Sequence, residues 1–206
     1  MPENTAKREY RQCIELRAAS DGGTHIVEGY AATFMQPYTL FRDGDYELRE
    51  QISAEAFAMC DMSDVIMQYD HTGRVFARTR NGTLTLSTDE HGLKIRADLS
   101  GTENGRKLYE EIKGGFIDRM SFAFTVGGDK REEETAEGRT VITRTITAIK
   151  KLYDVSAVSI PANDATEISA RAFCSGVIAE AEAERLRALD FRKKKLELKL
   201  RMEEIL

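Results

Sequence analysis

The chain has no tryptophan and only three prolines, three cysteines and three histidines in 206 residues. Each scarcity excludes something. Cys13, Cys60 and Cys174 are too scattered for a disulfide framework and lack the short ligand spacing of a zinc site. No apolar run approaches the ~18 residues of a membrane span. The opening stretch MPENTAKREYRQCIEL has no apolar segment of the secretory kind, so an intracellular protein is expected. Lys and Arg number 30 against 35 Asp and Glu, a net charge of −5 with no basic stripe, which argues against nucleic acid as a main partner. Membrane proteins, disulfide scaffolds and histone-like binders are disfavoured on these grounds. The length suits one globular domain with a real core and an appendage.

What the chain does have, from about residue 24 to 171, is period-2 alternation broken by glycine. In His25–Phe34, the residues Ile26, Tyr30, Ala32 and Phe34 are predicted to share a face. Tyr46, Leu48 and Ile52 alternate with Glu47, Arg49 and Gln51. Leu84 and Leu86, a turn over Thr88–Gly92, then Leu93, Ile95 and Ala97 describe a hairpin. After an acidic loop, two more strands are predicted at Thr140–Ile149 and Leu152–Ile160, the second stopped by Pro161. Ser53 is placed to cap a short helix through Ala56, Phe57 and Met59. Thr102 is placed to cap another through Leu108, Tyr109 and Ile112, ended by Gly114 and Gly115. The reading is a mainly β protein with a few helices (α+β), an antiparallel barrel or sandwich. Residues 1–23 form an N-terminal segment, in which Tyr10, Ile14 and Leu16 fit either a strand or a helical turn. From residue 172 to 206 a helical tail is expected, with Leu186, Leu189, Leu196 and Leu200 as a coiled-coil-like seam. Its basic cluster Arg192–Lys195 is interspersed with acids, which favours an interaction helix over a nucleic-acid patch.

Three residues are candidates for chemistry. His71 ends an apolar strand in DVIMQYDHTG, where an imidazole can face a cleft or simply lie at the surface. Ser121 lies in GGFIDRMSFAFTV; Met120, Phe122, Phe124 and Val126 point to the core, leaving Ser121, Ala123 and Thr125 on the other face. A serine there is an ordinary strand residue unless a base stands within hydrogen-bond reach. Asp154, in KLYDVSAVSIPAN, is predicted to share a face with Leu152, Ser156 and Val158. A carboxylate in apolar company needs a partner, either a histidinium or an Arg or Lys.

Together these segments resemble a known family. EGYAATF at 28–34, YDH at 69–71, GFIDRMSFAF at 115–124 and LYDVSAVSIPANDATEISAR at 152–171 are similar, in order, to the HK97-type prohead serine proteases of tailed phages. That family has a fold similar to the herpesvirus assemblins. The resemblance covers residues 24–171 and implies an assemblin-like antiparallel barrel. It implies Ser121 as nucleophile, His71 as general base and the strand around Asp154 as source of the third member. There the sequence departs from the pattern, with Asp154 where Glu is expected, and Ser156 and Asp70 compete for the role. For the oxyanion hole, amides near Gly127 and Gly128 or the Arg144 side chain are candidates.

The function implied is a serine endopeptidase acting inside the immature capsid, in the host cytoplasm. Its substrate would be the scaffolding part of the major capsid protein, and then the enzyme itself, with 167–175 as a self-cleavage region. No cofactor or metal is implied, no membrane or nucleic acid is a partner, and assemblin-like relatives suggest self-association. The competing reading is a catalytically idle assembly protein that uses the domain for docking and the tail to oligomerise.

Overall fold

A computed structural model describes residues 8–13, 16–19, 24–136 and 138–159, with 176, 179, 182, 183 and 185–196 of the tail. The strands are β1 (Glu9–Cys13), β2 (Leu16–Ala18), β3 (Ile26–Thr33), β4 (Tyr38–Asp43), β5 (Tyr46–Ile52), β6 (Ile66–Tyr69), β7 (Thr72–Arg78), β8 (Leu84–Thr88) and β9 (Gly92–Asp98). Helix α1 (Glu103–Lys113) follows, then β10 (Arg119–Ala136) and β11 (Arg139–Val158). Two sheets result. The larger has seven strands in the order β1-β10-β11-β5-β4, with β6 pairing β11 and β7 pairing β6; the smaller has four in the order β2-β3-β9-β8. One hydrophobic core joins them, with Val27, Leu93 and Ile95 of the small sheet packed with Met67, Met120, Phe122, Phe124, Leu152 and Val155 of the large one. Leu108, Tyr109 and Ile112 on one face of α1 belong to the same core.

The architecture is mainly β with helices, but the expected antiparallel barrel is not seen as a closed ring among the described residues. The large sheet is mixed and branched. β11 pairs with β10 antiparallel along one edge, and on the other edge with β5 and then β6, both parallel. Parallel neighbours are joined by long connections, so no local turn signal announces them. The acidic loop is also corrected. Residues 129–136 continue β10, and the two strands predicted at Thr140–Ile149 and Leu152–Ile160 are one strand, β11. Exposed glutamates at 132–134 are compatible with a hairpin arm whose faces are both wet, and the pairing Thr135 to Thr140 holds them in register.

Local capping was readable at one helix and not at the other. The Thr102 side chain accepts the Gly105 N–H at 3.0 Å, and the Gly114 N–H closes the helix on the Glu110 carbonyl. At Ser53, three successive turns replace the predicted helix: Ala56, Ala58 and Cys60 each donate to the carbonyl three residues back. In β3 a bulge after Tyr30 changes the facing, so Val27 and Ala31 join Ala32 and Phe34 in the core while Tyr30 turns outward to donate to Asp89. The segment before residue 24 supplies β1 on the edge of β10 and β2 on the edge of β3. The self-cleavage region 167–175 and Leu200 lie outside the described residues.

Gly105 sets two effects against each other. Alanine is favoured over glycine inside a helix by ~1 kcal/mol, but a Cβ here would stand 2.3 Å from the Leu99 carbonyl oxygen. Backbone cannot yield as a flexible side chain can, so sterics win. Gly105→Ala is expected to destabilise the fold by about 1–3 kcal/mol, seen as a lower midpoint of thermal unfolding. A raised midpoint would contradict this packing.

Candidate active site

Three elements bring the site together. β6 and β7 form a hairpin whose two-residue turn is Asp70-His71, closed by the pair Tyr69 and Thr72. Both turn residues are left-handed, with φ of 48° and 57°. Such turns match the twist of the flanking strands, and Asp and His tolerate positive φ better than most side chains. The turn is anchored to β11: the Asp70 N–H donates to the Ala157 carbonyl at 2.9 Å, and the Asp70 carboxylate accepts from the backbone N–H and the hydroxyl of Ser159, each at 3.0 Å. Asp70 is therefore occupied in holding the turn. His71 is left projecting toward β10 and β11.

On β10, Ser121 lies beside Ser156 of β11, and Ala123 beside Asp154. Between Ala123 and Phe124 the partner jumps from Asp154 to Leu152, so β11 carries one extra residue, Tyr153. One extra residue reverses the facing of all that follows. Leu152 stays in the core, while Asp154 and Ser156 emerge on the opposite face beside Ser121, alternating with buried Val155 and Ala157. The predicted common face for Leu152 and Asp154 is thus corrected, and the bulge is what aims the carboxylate at the site.

The hydrogen bonds form one chain. His71 Nε2 is 2.6 Å from Ser121 Oγ, and His71 Nδ1 is 2.6 Å from Asp154 Oδ1. The Ser156 hydroxyl, fully buried, donates to the same Asp154 oxygen at 2.7 Å. With the imidazole proton on Nδ1 facing the carboxylate, Nε2 is the acceptor for the Ser121 O–H. The imidazole side chain retains 19% exposure against 7% for Asp154. The histidine is thus the member of the chain most open to solvent, while Ser121 and Asp154 are both buried. This arrangement can activate a serine hydroxyl for attack on a carbonyl.

A family model described as Caudovirus prohead serine protease matches residues 12–177. The chain belongs to that family. No curated protein sequence matches. Among solved structures, the bacteriophage T4 capsid assembly protease gp21 is similar, at 13% identity and a TM-score of 0.42, over 75% of this chain and 99% of that one.

In this prohead protease the remaining candidates lie elsewhere. His25 and His91 pack edge to face against Tyr109 and Tyr30. Cys60 has its thiol pushed up to about 11, chiefly by burial, which leaves little nucleophilic thiolate at neutral pH. Arg144 is no oxyanion donor, because its guanidinium is bound by Glu9, Glu50 and Asp129 and it pairs with Arg131, well beyond Ser121 along β10. Among the described residues no three His, Cys, Asp or Glu side chains gather as a metal would require. No helix there is long and apolar enough to cross a membrane.

The sequence analysis missed the charged cluster around Glu50. Arg11 and Arg144 both bind Glu50, the Tyr38 hydroxyl donates to it at 2.5 Å, and Glu9 bridges the two arginines. Its signal was present: Glu50 falls on the apolar face of β5 between Leu48 and Ile52. A carboxylate at such a position requires cations from other strands.

Proposed function

We propose that this prohead serine protease is a capsid-maturation endopeptidase in which Ser121 is the nucleophile, His71 the general base and Asp154 the acid that orients it. The hydrogen-bonded chain from Ser121 through His71 to Asp154, at 2.6 Å for each link, carries the reading. Ser121 Oγ attacks the peptide carbonyl as Nε2 takes its proton; Asp154 holds the imidazole by Nδ1–H and stabilises its charged form. The proton then passes to the leaving amine, and an acyl-enzyme remains on Ser121. Water, deprotonated by the same nitrogen, releases the acid product. General-base help of this kind is typically worth ~10²–10⁴-fold.

The substrate is the scaffolding part of the major capsid protein, met inside the immature capsid in the host cell, followed by the protease itself at 167–175. The tail supports a tethering role. Residues 185–196 are helical, and Leu186, Leu189 and Leu196 are exposed, leaving an apolar seam for a partner helix of scaffold or of a second copy.

Intact mass over time, for wild type beside Ser121→Ala, tests the reading, with the cognate capsid protein added as substrate. Truncation of both proteins by wild type and none by the variant is the expected result. Equal cleavage by Ser121→Ala would remove serine from the chemistry. No cleavage by either would favour an idle assembly protein.

A further inference from the structure

Tyr10 lies outside the matched segment, which begins at residue 12. Its ring meets the His71 imidazole edge to face, with centroids 4.8 Å apart and planes at 73°. The register places Tyr10 opposite Ala123 on β10, and Ala123 opposite Asp154 on β11. Residues opposite one another in a ladder share a face, so these three form a row. An imidazole that bonds Asp154 and also touches Tyr10 must span the middle position. That position is a fully buried alanine, whose single methyl leaves room for the ring.

We propose that Tyr10 and Ala123 form the seat of the catalytic imidazole, with Tyr10 a positioning residue that keeps Nε2 on Ser121 Oγ. The proposal rests on His71 being the general base. His71 projects from a hairpin tip, and its bonds to Asp154 and Ser121 leave the ring able to tilt about the line that joins them. Tyr10 closes the remaining side. Its own strand is fastened on either side of it: the neighbouring Glu9 accepts from Arg144 at 2.8 Å, and the neighbouring Arg11 donates to Glu50 at 2.8 Å. Charged residues alternate with the tyrosine along β1, so the ionic cluster grips one face while the ring is presented on the other.

The test is inactivation by a fluorophosphonate probe, which splits the chemical step (kinact) from binding (KI), with thermal unfolding as the control for folding. Tyr10→Leu is expected to lower kinact ~3–10-fold with KI unchanged, the size an aromatic contact can hold. Tyr10→Phe is expected to restore it, since the ring and not the hydroxyl makes the contact. Ala123→Val, which fills the middle position, is expected to lose more than Tyr10→Leu. Should Tyr10→Leu fail to fold, Tyr10→Val, a better strand former, takes its place with the same expectation. A folded Leu or Val variant labelled at the wild-type rate would overturn the seat while leaving the base assignment standing. Wild type that labels no faster than His71→Ala would instead overturn the base assignment, and the seat with it.

Discussion

Asp154→Asn is expected to lower kcat by ~10⁴-fold, the size seen when the acid of a Ser-His-acid triad loses its charge. The carboxylate oxygen receives His71 Nδ1 and the Ser156 hydroxyl together. An amide in its place can offer an N–H to Nδ1, which stabilises the tautomer protonated on Nε2. That tautomer cannot accept the Ser121 proton. It also leaves no negative charge beside the imidazolium formed during attack. Ser156→Ala keeps the charge and removes one of its two donors, so a smaller loss of ~10-fold is expected, in line with a hydrogen bond to a charged group. Asp70→Asn is expected to leave kcat within a few-fold, because that carboxylate accepts from Ser159 and not from the histidine. Turnover of a capsid-scaffold peptide by the three variants measures the order. An Asp154→Asn enzyme within tenfold of wild type would move the acid role elsewhere.

Glu50→Ala is expected to cost about 3–5 kcal/mol, the penalty for stripping one partner from a buried ion pair. Arg11 and Arg144 would then keep buried charge with less compensation, and the Tyr38 hydroxyl would lose its acceptor. Urea unfolding at pH 7 measures the loss. Burial by itself would push the Glu50 carboxyl up, but Arg11 and Arg144 beside it and the Tyr38 hydroxyl outweigh that and hold it below the usual range. A depressed folded-state value stabilises the fold above the unfolded carboxylate range of ~4.3. That contribution is lost as pH falls through the folded-state value. Wild-type stability is expected to be flat from pH 7 to about 5 and to fall below ~4. Glu50→Gln is expected to lie lower at pH 7 and to fall less steeply in acid. Parallel wild-type and Gln curves would mean that Glu50 does not carry the acid sensitivity.

Part of the candidate site was legible because histidine is rare in this chain. With three histidines in all, and one of them at a strand end after a run of core residues, His71 stood out. Ser121 and Asp154 were marked as polar side chains with apolar neighbours, Met120 and Phe122 beside the one and Val155 beside the other. The hairpin of β8 and β9 and the Thr102 cap were equally readable, since each is decided by residues close in sequence.

What the sequence alone determined was therefore local: strand periodicity, one hairpin, one helix with its cap, and the residue types able to activate a serine. The tertiary structure decided everything set by distant pairing. It placed β11 parallel to β5 and β6, left the sheets without the predicted closed ring among the described residues, and ran the acidic stretch into a long hairpin. It also inserted Tyr153 as the bulge that turns Asp154 out of the core. Period-2 patterning carries no information about such a slip, because a single extra residue exchanges the two faces without changing composition. Tyr10 shows the same division. Its aromatic character is in the sequence, but only the antiparallel pairing of β1 with β10 brings its ring against His71, 61 positions further along the chain.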